Sequence, residues 1–347
     1  MDDQRIISPE KRAGDESDME RSLRPPSLSE FTGQGDIKES LSIAIAAARH
    51  RGEALDHCLF AGPPGLGKTT LASIIAKEMG VNIHITSGPV LEKASDLAGL
   101  LTSLQENDVL FIDEIHRLNR VVEEYLYPAM EDFRLDIMLD SGPAARSVNL
   151  PLKHFTLVGA TTRSGLLTSP LRDRFGLQYR LELYNESDIV KILMRSARIL
   201  DIELSEDAAK LLGGRCRGTP RVANRVLRRC RDVAQVRGTG VIDVQSATKT
   251  LEMLGIDGEG LDPMDRKILG TMMDKFDGGP VGLGTISAAM GEEPDTLEEV
   301  YEPYLIQKGL LSRTPRGRIV TQAAYRLFHK QPPKNFAGTP SDQMELF

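Results

Sequence analysis

The fold of this 347-residue chain is decided by residues 57–69, HCLFAGPPGLGKT. The first five residues predict a buried strand, and the other eight match the pattern G-x-x-x-x-G-K-[ST] of a phosphate-binding loop. Gly65 and Gly67 let the backbone wrap an anion, and a helix beginning at Lys68 offers its amino terminus to negative charge. Lys68 is placed to reach the β- and γ-phosphates of a nucleotide, and the Thr69 hydroxyl to ligate Mg²⁺.

A second apolar run, residues 109–112, ends in two carboxylates, Asp113 and Glu114. Ligands gather at the carboxyl ends of strands in open α/β sheets. We therefore expect Asp113 to hold Mg²⁺ through water and Glu114 to polarise an attacking water as general base. Together with the phosphate-binding loop, this pair predicts hydrolysis of ATP rather than binding alone.

Two later segments supply further candidates for the ATPase site. A predicted strand over residues 155–160 ends in Thr161 and Thr162, and either hydroxyl is placed to contact the attacking water or the γ-phosphate. Arg172 and Arg174 precede the next apolar run. Arginines there are either surface ion pairs or include an arginine finger, which contributes roughly 10³–10⁵ in rate. The residues alone leave open which threonine and which arginine act.

Composition and periodicity divide the chain into five parts. Residues 1–20 are polar and aperiodic, which predicts disorder, and residues 331–347 are a flexible tail with several prolines. Residues 21–183 alternate short apolar runs with helical segments, which predicts a large ATPase domain with a parallel sheet. Residues 184–255 predict a small helical domain. Residues 256–330 predict three short helices and two strands, the pattern of a winged helix.

The predicted helices of the small domain each follow a residue able to cap a helix: Ser187, Ser205 and Thr219. In the predicted winged helix, the helices are residues 263–276, a short one after Leu283, and residues 295–308.

Charge is unevenly distributed along the chain. The net charge of −7 and a pI near 5.5 argue against a protein that coats nucleic acid over its whole surface. Residues 308–330 nevertheless carry six Lys or Arg and no acid, and residues 215–237 carry eight arginines and one acid. No apolar run is long enough to predict a membrane span. The three cysteines form no CxxC pair, which is typical of a reducing compartment and predicts a cytoplasmic protein.

The predicted winged helix is expected to contact the DNA backbone rather than read bases. Residues 291–307, which include nearly all of the predicted third helix, contain six acids and no base, so phosphates would repel this helix from the major groove. Arg313, Arg316 and Arg318 surround the predicted turn between the two strands and suit phosphate contact without base readout. The alternative is a basic hairpin that is merely solvated.

The order of these motifs resembles that of AAA+ ATPases. Several stretches are similar to the RuvB family of bacterial Holliday junction branch-migration ATPases, from about Leu23 to Phe328: residues 62–70, 86–93, 113–118, 159–163, 218–221 and 314–318. The resemblance implies an AAA+ core with a lid and a winged-helix head, assembled as a homo-hexameric ring. It implies a motor that translocates duplex DNA at four-way junctions during recombination and repair.

Carried over residue by residue, the resemblance implies an ATP site with Mg²⁺ held by Thr69 and Asp113. The residues that would hold the nucleotide are Leu23, Arg24, Gly65, Gly67, Lys68, Thr69, Thr70, Glu131, Asp132, Phe133, Thr161 or Thr162, Tyr184 and Arg221. Tyr184 would contact adenine and Arg221 the γ-phosphate. Arg174 would be the finger that projects into the neighbouring subunit. Arg313 and Arg318 match DNA-contacting positions of the family.

The segment 134–150 reads as two strands whose apolar residues alternate imperfectly. Such a hairpin either packs on its own domain or exposes apolar residues to a partner. In the family that the chain resembles, this hairpin engages the junction-binding protein RuvA, and the junction resolvase RuvC belongs to the same complex.

Two other functions fit parts of the sequence. A replication initiator or helicase loader also joins an AAA+ core to a helical DNA-binding domain, but usually reads sequence, which the acidic third helix opposes. A clamp-loader-like protein remodeller needs no direct DNA contact, which the basic residues around the turn oppose.

Overall fold

The structure is a computed structural model that describes residues 22–138 and 147–333. The segments predicted to be disordered or tail-like lie almost entirely outside these residues, as does the turn of the 134–150 hairpin. None of the helices in the described residues is long and apolar enough to cross a membrane.

The chain divides into two compact units. Of the described residues, the first unit contains those up to 62 and those between 67 and 182. The second contains residues 63–66 and 183–333. The middle of the phosphate-binding loop is therefore grouped with the second unit.

A parallel sheet of five strands is the centre of the first unit, in the order β2-β3-β6-β1-β7. Strands β3 and β6 lie in its middle and are buried almost throughout, which explains their near-continuous apolar sequences. Strands β4 and β5 form a separate antiparallel hairpin. The strands are β1 (Cys58–Ala61), β2 (Ile83–Ser87), β3 (Val109–Asp113), β4 (Arg134–Met138), β5 (Ser147–Pro151), β6 (Thr156–Thr161) and β7 (Leu177–Arg180).

Helices of the first unit pack around this sheet, and the ends of two of them are fixed by local chemistry. Helix α2 begins at Lys68, directly after Gly67 in a left-handed conformation, and ends before Gly80, which is also left-handed. The side chain of Asn119 caps α4 by accepting a hydrogen bond from the Val122 amide. The helices are α1 (Gly35–Arg51), α2 (Lys68–Met79), α3 (Ala94–Ser103), α4 (Arg120–Glu131) and α5 (Ser169–Asp173).

The second unit begins with a bundle of four helices. Each has an apolar face, for example Ile189, Leu193 and Ala197 on the first of them, and these faces form the buried side of the bundle. The helices are α6 (Glu186–Ile199), α7 (Glu206–Gly213), α8 (Pro220–Arg237) and α9 (Val244–Met253).

A winged helix completes the second unit and has its own apolar core, which includes Leu269, Met272 and Leu305. Its third helical region is interrupted by a π-helical turn, Leu297–Tyr301. We call this segment the π turn. The elements are α10 (Pro263–Phe276), α11 (Leu283–Met290), α12 (Pro294–Thr296), α13 (Glu302–Gln307), β8 (Leu311–Thr314), β9 (Gly317–Val320) and α14 (Gln322–Leu327). The predicted fold class, a parallel α/β ATPase core with a helical domain and a winged helix, is confirmed.

Candidate active site

The carboxyl ends of three neighbouring strands meet at one edge of the sheet. Ala61 at the end of β1 pairs with Thr161 at the end of β6, and Ile112 of β3 pairs with Gly159 of β6. The phosphate-binding loop follows β1, and Asp113 ends β3. The sheet register therefore brings the loop, the carboxylates and the two threonines to the same edge.

Three glycines give the phosphate-binding loop its shape. Gly62, Gly65 and Gly67 have φ values of 141°, 83° and 104°, which residues with a side chain adopt only under strain. The Lys68 side chain is buried, and its ammonium Nζ donates to the carbonyl oxygen of Gly62 at 2.6 Å. The positive charge is thus held inside the curve of the loop.

Asp113 and Glu114 are adjacent in sequence but have different surroundings. An oxygen of Asp113 accepts a hydrogen bond from the Glu114 amide at 3.0 Å. Glu114 has a left-handed backbone with φ of 47°, and its carboxylate pairs with Arg117 at 2.9 Å. Strained backbone of this kind is concentrated at functional sites. Asp113 and Glu114 therefore differ both in backbone conformation and in hydrogen-bond partners, as their different predicted roles require.

Gly88 contacts the turn that carries Glu114, although the sequence motifs do not predict a role for it at this site. A Cβ atom at Gly88 would lie 2.5 Å from the carbonyl oxygen of Glu114 and 3.1 Å from the Leu118 amide nitrogen. Only glycine allows the turn after β3 to pack so closely against the end of β2. Residues 86–93 are one of the stretches in which the chain resembles the RuvB family, and this contact explains why one of them is glycine.

The two threonines after β6 differ in their hydrogen bonds. The Thr161 hydroxyl contacts His116 Nδ1 at 3.0 Å and accepts from the Arg163 amide at 3.0 Å. The Thr162 hydroxyl is buried and has no hydrogen-bond partner within the described residues. A buried hydroxyl without a partner is costly unless a ligand or water satisfies it. Thr162 is therefore the better candidate to contact the nucleotide or the attacking water.

Within the second unit, Tyr184 and Arg221 contact the middle of the phosphate-binding loop. The buried Tyr184 donates its hydroxyl to the carbonyl oxygen of Leu66 at 3.0 Å. The Arg221 amide lies 3.4 Å from the carbonyl oxygen of Gly65. Two residues assigned to the nucleotide by resemblance are thus in direct contact with the loop.

Gly65→Ala is expected to weaken nucleotide binding by more than its backbone strain explains. A Cβ at Gly65 would lie 2.9 Å from Arg221 Cβ and 2.9 Å from Thr219 Cγ2, in addition to the cost of the left-handed backbone, about 1–2 kcal/mol. Gly80→Ala is the matched control, because Gly80 has φ of 76° but nothing within 4 Å of its Cβ position. Titration with a fluorescent ATP analogue should give at least a tenfold weaker Kd for Gly65→Ala than for Gly80→Ala. Equal affinities would show that the loop has room to move.

Arg174 lies at the other edge of the sheet. It lines a cavity of about 690 Å³ together with His57, Asn107 and Phe155, which directly precede strands β1, β3 and β6 or lie close before them. The phosphate-binding loop follows the opposite, carboxyl ends of these strands. Arg174 and the loop of the same subunit are therefore separated by the length of the sheet.

The surroundings of Arg174 hold its guanidinium in place. It pairs with Glu131 at 3.0 Å, donates to the carbonyl oxygen of Pro170 at 2.7 Å, and lies 4.4 Å from the centre of the Tyr127 ring. Arg172 instead donates to the carbonyl oxygens of Ser164 and Leu167. Both arginines are thus held by neighbouring groups, and Arg174 stays the finger candidate because the family pattern indicates it.

Glu131, Asp132 and Phe133 belong to the same edge as Arg174. The Phe133 ring packs against His57, His154 and Phe155. His57 Nε2 donates to the carbonyl oxygen of Met130 at 3.1 Å, and its Nδ1 accepts from the Leu157 amide. Burial lowers the pKa of His57, and this neutral ring fixes the end of α4. The 131–133 segment is therefore positioned with Arg174 and not with the phosphate-binding loop of the same chain.

Leu23 and Arg24 precede α1 in the first unit. Leu23 is buried and Arg24 is exposed. Thr69 and Thr70 lie in the first turn of α2, where amides not bonded within the helix favour an anion.

The arginines around the turn of the winged helix are held by acidic residues that come before them. The buried Glu302 accepts from Arg318 Nε at 2.6 Å and also from Arg313. Glu298 lies 3.3 Å from Arg313. Arg316, at the tip, is exposed, and no ion pair within the described residues involves it. The acidic third helix thus orients two of the three predicted DNA contacts.

Comparison with known proteins agrees with this site and fold over residues 23–329. Three family models match: the Holliday junction DNA helicase RuvB P-loop domain over residues 23–181, the RuvB AAA lid domain over 184–257 and the RuvB C-terminal winged helix domain over 258–329. The Holliday junction branch migration complex subunit RuvB of Myxococcus xanthus is 62% identical, over 95% of this chain and 94% of that protein.

Solved structures agree with this similarity. The Thermotoga maritima RuvB Holliday junction branch migration motor is 54% identical and superposes with a TM-score of 0.82, covering 90% of this chain and 100% of that one. A point variant of it gives a TM-score of 0.84, with 90% and 99% covered.

The fold and the loop with its carboxylates define a P-loop ATPase of the AAA+ class with a helical lid and a winged-helix head. The domain matches and the identity over nearly the full length then place it more narrowly. The chain belongs to the RuvB family of Holliday junction branch-migration ATPases.

Proposed function

We propose that this ATPase moves duplex DNA at four-way junctions with Glu114 as general base and Lys68 on the transferred phosphate. The observation that carries this proposal is the convergence of the loop, Asp113, Glu114 and Thr162 at one edge of the sheet. Glu114 would take a proton from the attacking water, and Thr162 would orient that water or the γ-phosphate. Lys68 would stabilise the negative charge that develops on the phosphoryl oxygens.

The donors at this edge fit a magnesium nucleotide. Thr69 supplies a hydroxyl at the start of α2 and Asp113 a carboxylate at the end of β3. Among the described residues, no group of three or more His, Cys, Asp and Glu is placed to hold a metal ion by itself. Mg²⁺ commonly takes one or two protein oxygens and completes its shell with phosphate and water. When bound, it would supply neutralisation of phosphate charge, with Thr69 and Asp113 as its protein ligands.

The other nucleotide contacts are proposed from the family pattern. Leu23, Arg24 and Tyr184 would surround the adenine, and Thr70 and Arg221 would contact phosphates. A γ-phosphate contact from Arg221, whose amide lies beside the carbonyl oxygen of Gly65, would couple hydrolysis to a shift of the lid helix that begins at Pro220.

Arg174 would complete the site of the neighbouring subunit. Its place at the amino-terminal edge of the sheet, away from its own loop, supports an action in trans. Glu131, Asp132 and Phe133 share this edge and would line the same junction between subunits. A head-to-tail contact of this kind forms a ring when the rotation between neighbours closes, and we propose the hexamer that the family pattern implies.

The winged helix would contact DNA phosphates through the tip of its hairpin. Arg316 is exposed at the tip, while Arg313 and Arg318 are positioned beside it by Glu298 and Glu302. Such contacts carry no sequence information, as a motor that moves along any duplex requires.

Arg316→Ala is expected to weaken duplex binding uniformly across sequences. The loss of one phosphate contact lowers the slope of log Kd against log salt by roughly one unit per head. Arg237→Ala, an exposed arginine at the end of α8, is the matched charge control. The measurement is fluorescence anisotropy with two unrelated duplexes over a range of salt concentrations. An unchanged slope for Arg316→Ala would remove the tip from the DNA interface.

The β4–β5 hairpin is proposed as the docking site for RuvA, in a complex that also contains RuvC. Leu135 of the hairpin is buried and Leu150 packs partly against the core of the first unit, so the base of the hairpin is anchored. Val148 is exposed on it. We assign the protein to the cytoplasm, where its DNA substrate lies.

Four-way junction dissociation tests the proposed function. Wild type with ATP should separate the junction, and RuvA should increase the rate. Glu114→Gln should not separate the junction, with or without RuvA. Sequence-selective duplex binding without junction dissociation would favour a replication initiator. ATP hydrolysis that ignores DNA, with no dissociation, would favour a protein remodeller.

A further inference from the structure

Arg217 is a heavily engaged arginine that has no role in the candidate active site. Its side chain is only 11% exposed and pairs with Asp262 at 2.7 Å and with Asp265 at 3.1 Å. It also donates to the carbonyl oxygen of Val300 at 3.3 Å and lies 4.9 Å from the centre of the Tyr304 ring. Arg217 belongs to the lid, whereas all of these partners belong to the winged helix.

The partners of Arg217 are themselves fixed. Asp262 and Asp265 form the capping box of α10, each accepting from the backbone amide of the other. Asp265 is fully buried, and burial raises its pKa to about 7, while the Arg217 guanidinium opposes that rise. A buried carboxylate of this kind needs its counter-charge. Arg217 is therefore held in one orientation and not loosely paired.

Arg217 lies in the same short segment as Arg221. The backbone of Arg217 and Gly218 is left-handed, with φ of 58° at both residues. Gly218 accepts a hydrogen bond from the Tyr184 amide at 2.8 Å, and a Cβ at Gly218 would lie 2.7 Å from the Tyr184 carbonyl oxygen. We call residues 217–221 the sensing segment, because Arg221 is its proposed γ-phosphate contact. Arg221 at one end of the segment contacts the phosphate-binding loop, and the side chain of Arg217 at the other end pairs with residues of the winged helix.

The π turn connects this contact with the DNA-facing arginines. Val300 and Tyr301 of the turn face Arg217, which lies 5.5 Å from the Tyr301 ring centre. Glu298 of the turn and Glu302, the next residue after it, hold Arg313 and Arg318. Glu298 and Glu302 are four residues apart and so share one helix face, which holds the arginines of the wing. Val300 and Tyr301, between them, contact Arg217 instead. π-helical turns are rare and frequent at functional sites.

We propose that Arg217 is a positioning residue that transmits the state of the nucleotide to the DNA-contacting arginines through the π turn. A shift of the sensing segment on hydrolysis would move the guanidinium of Arg217. The π turn would follow, and with it Glu298 and Glu302, which set the orientation of Arg313 and Arg318. This inference rests on the proposed function of Arg221 and of the wing.

The test compares duplex affinity in two nucleotide states. The ratio of duplex Kd with ADP to Kd with a non-hydrolysable ATP analogue measures the coupling for the full-length protein. Couplings between sites are commonly 5- to 150-fold. Arg217→Lys keeps the charge but loses the planar fork, and it should bring the ratio close to one. Basal ATPase without DNA should change by less than about twofold. Arg237→Ala, which removes an exposed lid charge, should keep the wild-type ratio.

A second variant separates transmission from folding. Arg217→Met with Asp265→Asn removes the fully buried carboxylate charge together with its partner. Asp262 also loses Arg217, but its side chain is 28% exposed and reaches water, so the winged helix should fold. Its ratio should also be close to one. In a double-mutant cycle of Arg217→Lys and Glu302→Gln, the effects on this ratio should be non-additive, because Arg217 and Glu302 both act through the π turn.

The outcomes of these measurements are distinct. A wild-type ratio of one would overturn the proposed nucleotide dependence of DNA binding, and this inference with it. A wild-type ratio well above one that both Arg217 variants retain would overturn the inference alone. Lower thermal stability with an unchanged ratio would make Arg217 a structural residue only, which also overturns it.

Discussion

Arg174→Ala is expected to lower the kcat of ATP hydrolysis by roughly 10³-fold or more, while leaving nucleotide binding nearly unchanged. In the proposed role, the guanidinium would neutralise charge that develops on the phosphoryl group transferred in the neighbouring site. Its pairing with Glu131 and its hydrogen bond to the carbonyl oxygen of Pro170 hold it in place. The measurement is steady-state ATPase with duplex DNA, together with Kd for an ATP analogue.

Mixed rings test whether Arg174 acts in the neighbouring site. Arg174→Ala subunits keep Glu114, and Glu114→Gln subunits keep Arg174. A site has both groups when an Arg174→Ala subunit supplies Glu114 and its neighbour, a Glu114→Gln subunit, supplies Arg174. In an equal mixture about a quarter of head-to-tail interfaces have this order, and ATPase should return to about that fraction. Arg174→Ala subunits mixed with the Arg174→Ala/Glu114→Gln double variant supply no finger and should stay inactive. If Arg174 served its own subunit, no mixture would recover activity.

The sequence predicts the sheet well because its strands are buried on both faces. Strands β3 and β6 are continuous apolar runs that no exposed helix would have, and the motifs at their ends are local in sequence. Local signals also locate α7, where Ser205 caps the helix as predicted. The prediction of Ser187 as a cap is wrong: Asn185 accepts from the Asp188 amide, and Ser187 donates to Asn185. Two capping residues this close compete, and sequence does not decide between them.

Two helical features of the second unit are not predicted from the sequence. The buried residues of α9, Ala247, Thr250 and Leu251, recur at helical spacing, but Ala247 is small and Thr250 is polar, so the apolar signal is weak. The capping box of Asp243 and Ser246 is the local signal that marks its beginning. The predicted single helix over 295–308 is divided in the structure by the π turn. Pro303 lies in the first turn of α13, where its missing amide costs little.

The side-chain partners at the site depend on packing that no local pattern encodes. Arg313 and Arg318 are 11 and 16 residues away from Glu302, and the acidic helix alone indicates only repulsion of phosphates. The choice between Thr161 and Thr162 likewise depends on His116, which is 45 residues from Thr161. Residue types and spacing therefore predict the chemistry, and the orientation of each group comes from the tertiary structure.

Glu114→Gln is expected to trap the ATP-bound state with hydrolysis slowed by about 10²–10⁴-fold. The amide has the shape of the carboxylate but does not accept a proton from water at neutral pH. Loss of the charge also removes the ion pair with Arg117, but that pair is about half exposed and contributes little to stability. Thermal stability and the Kd for ATP should thus stay close to wild type. Single-turnover hydrolysis with DNA present separates the chemical step from product release.

Glu124→Gln provides the matched control for Glu114→Gln. It removes one carboxylate from the first unit and breaks an exposed ion pair, with Arg120, of the same kind as the one lost at Glu114. It should hydrolyse ATP at the wild-type rate. A Glu114→Gln protein that kept more than a tenth of the wild-type single-turnover rate would show that another group accepts the proton. The other carboxylate at this edge is Asp113, but it has a proposed role on Mg²⁺, and a carboxylate that ligates a cation is a poor base. A large loss of hydrolysis rate for Glu114→Gln with no loss for Glu124→Gln therefore assigns the general base to Glu114. This residue lies in the left-handed turn that Gly88 allows to pack against β2.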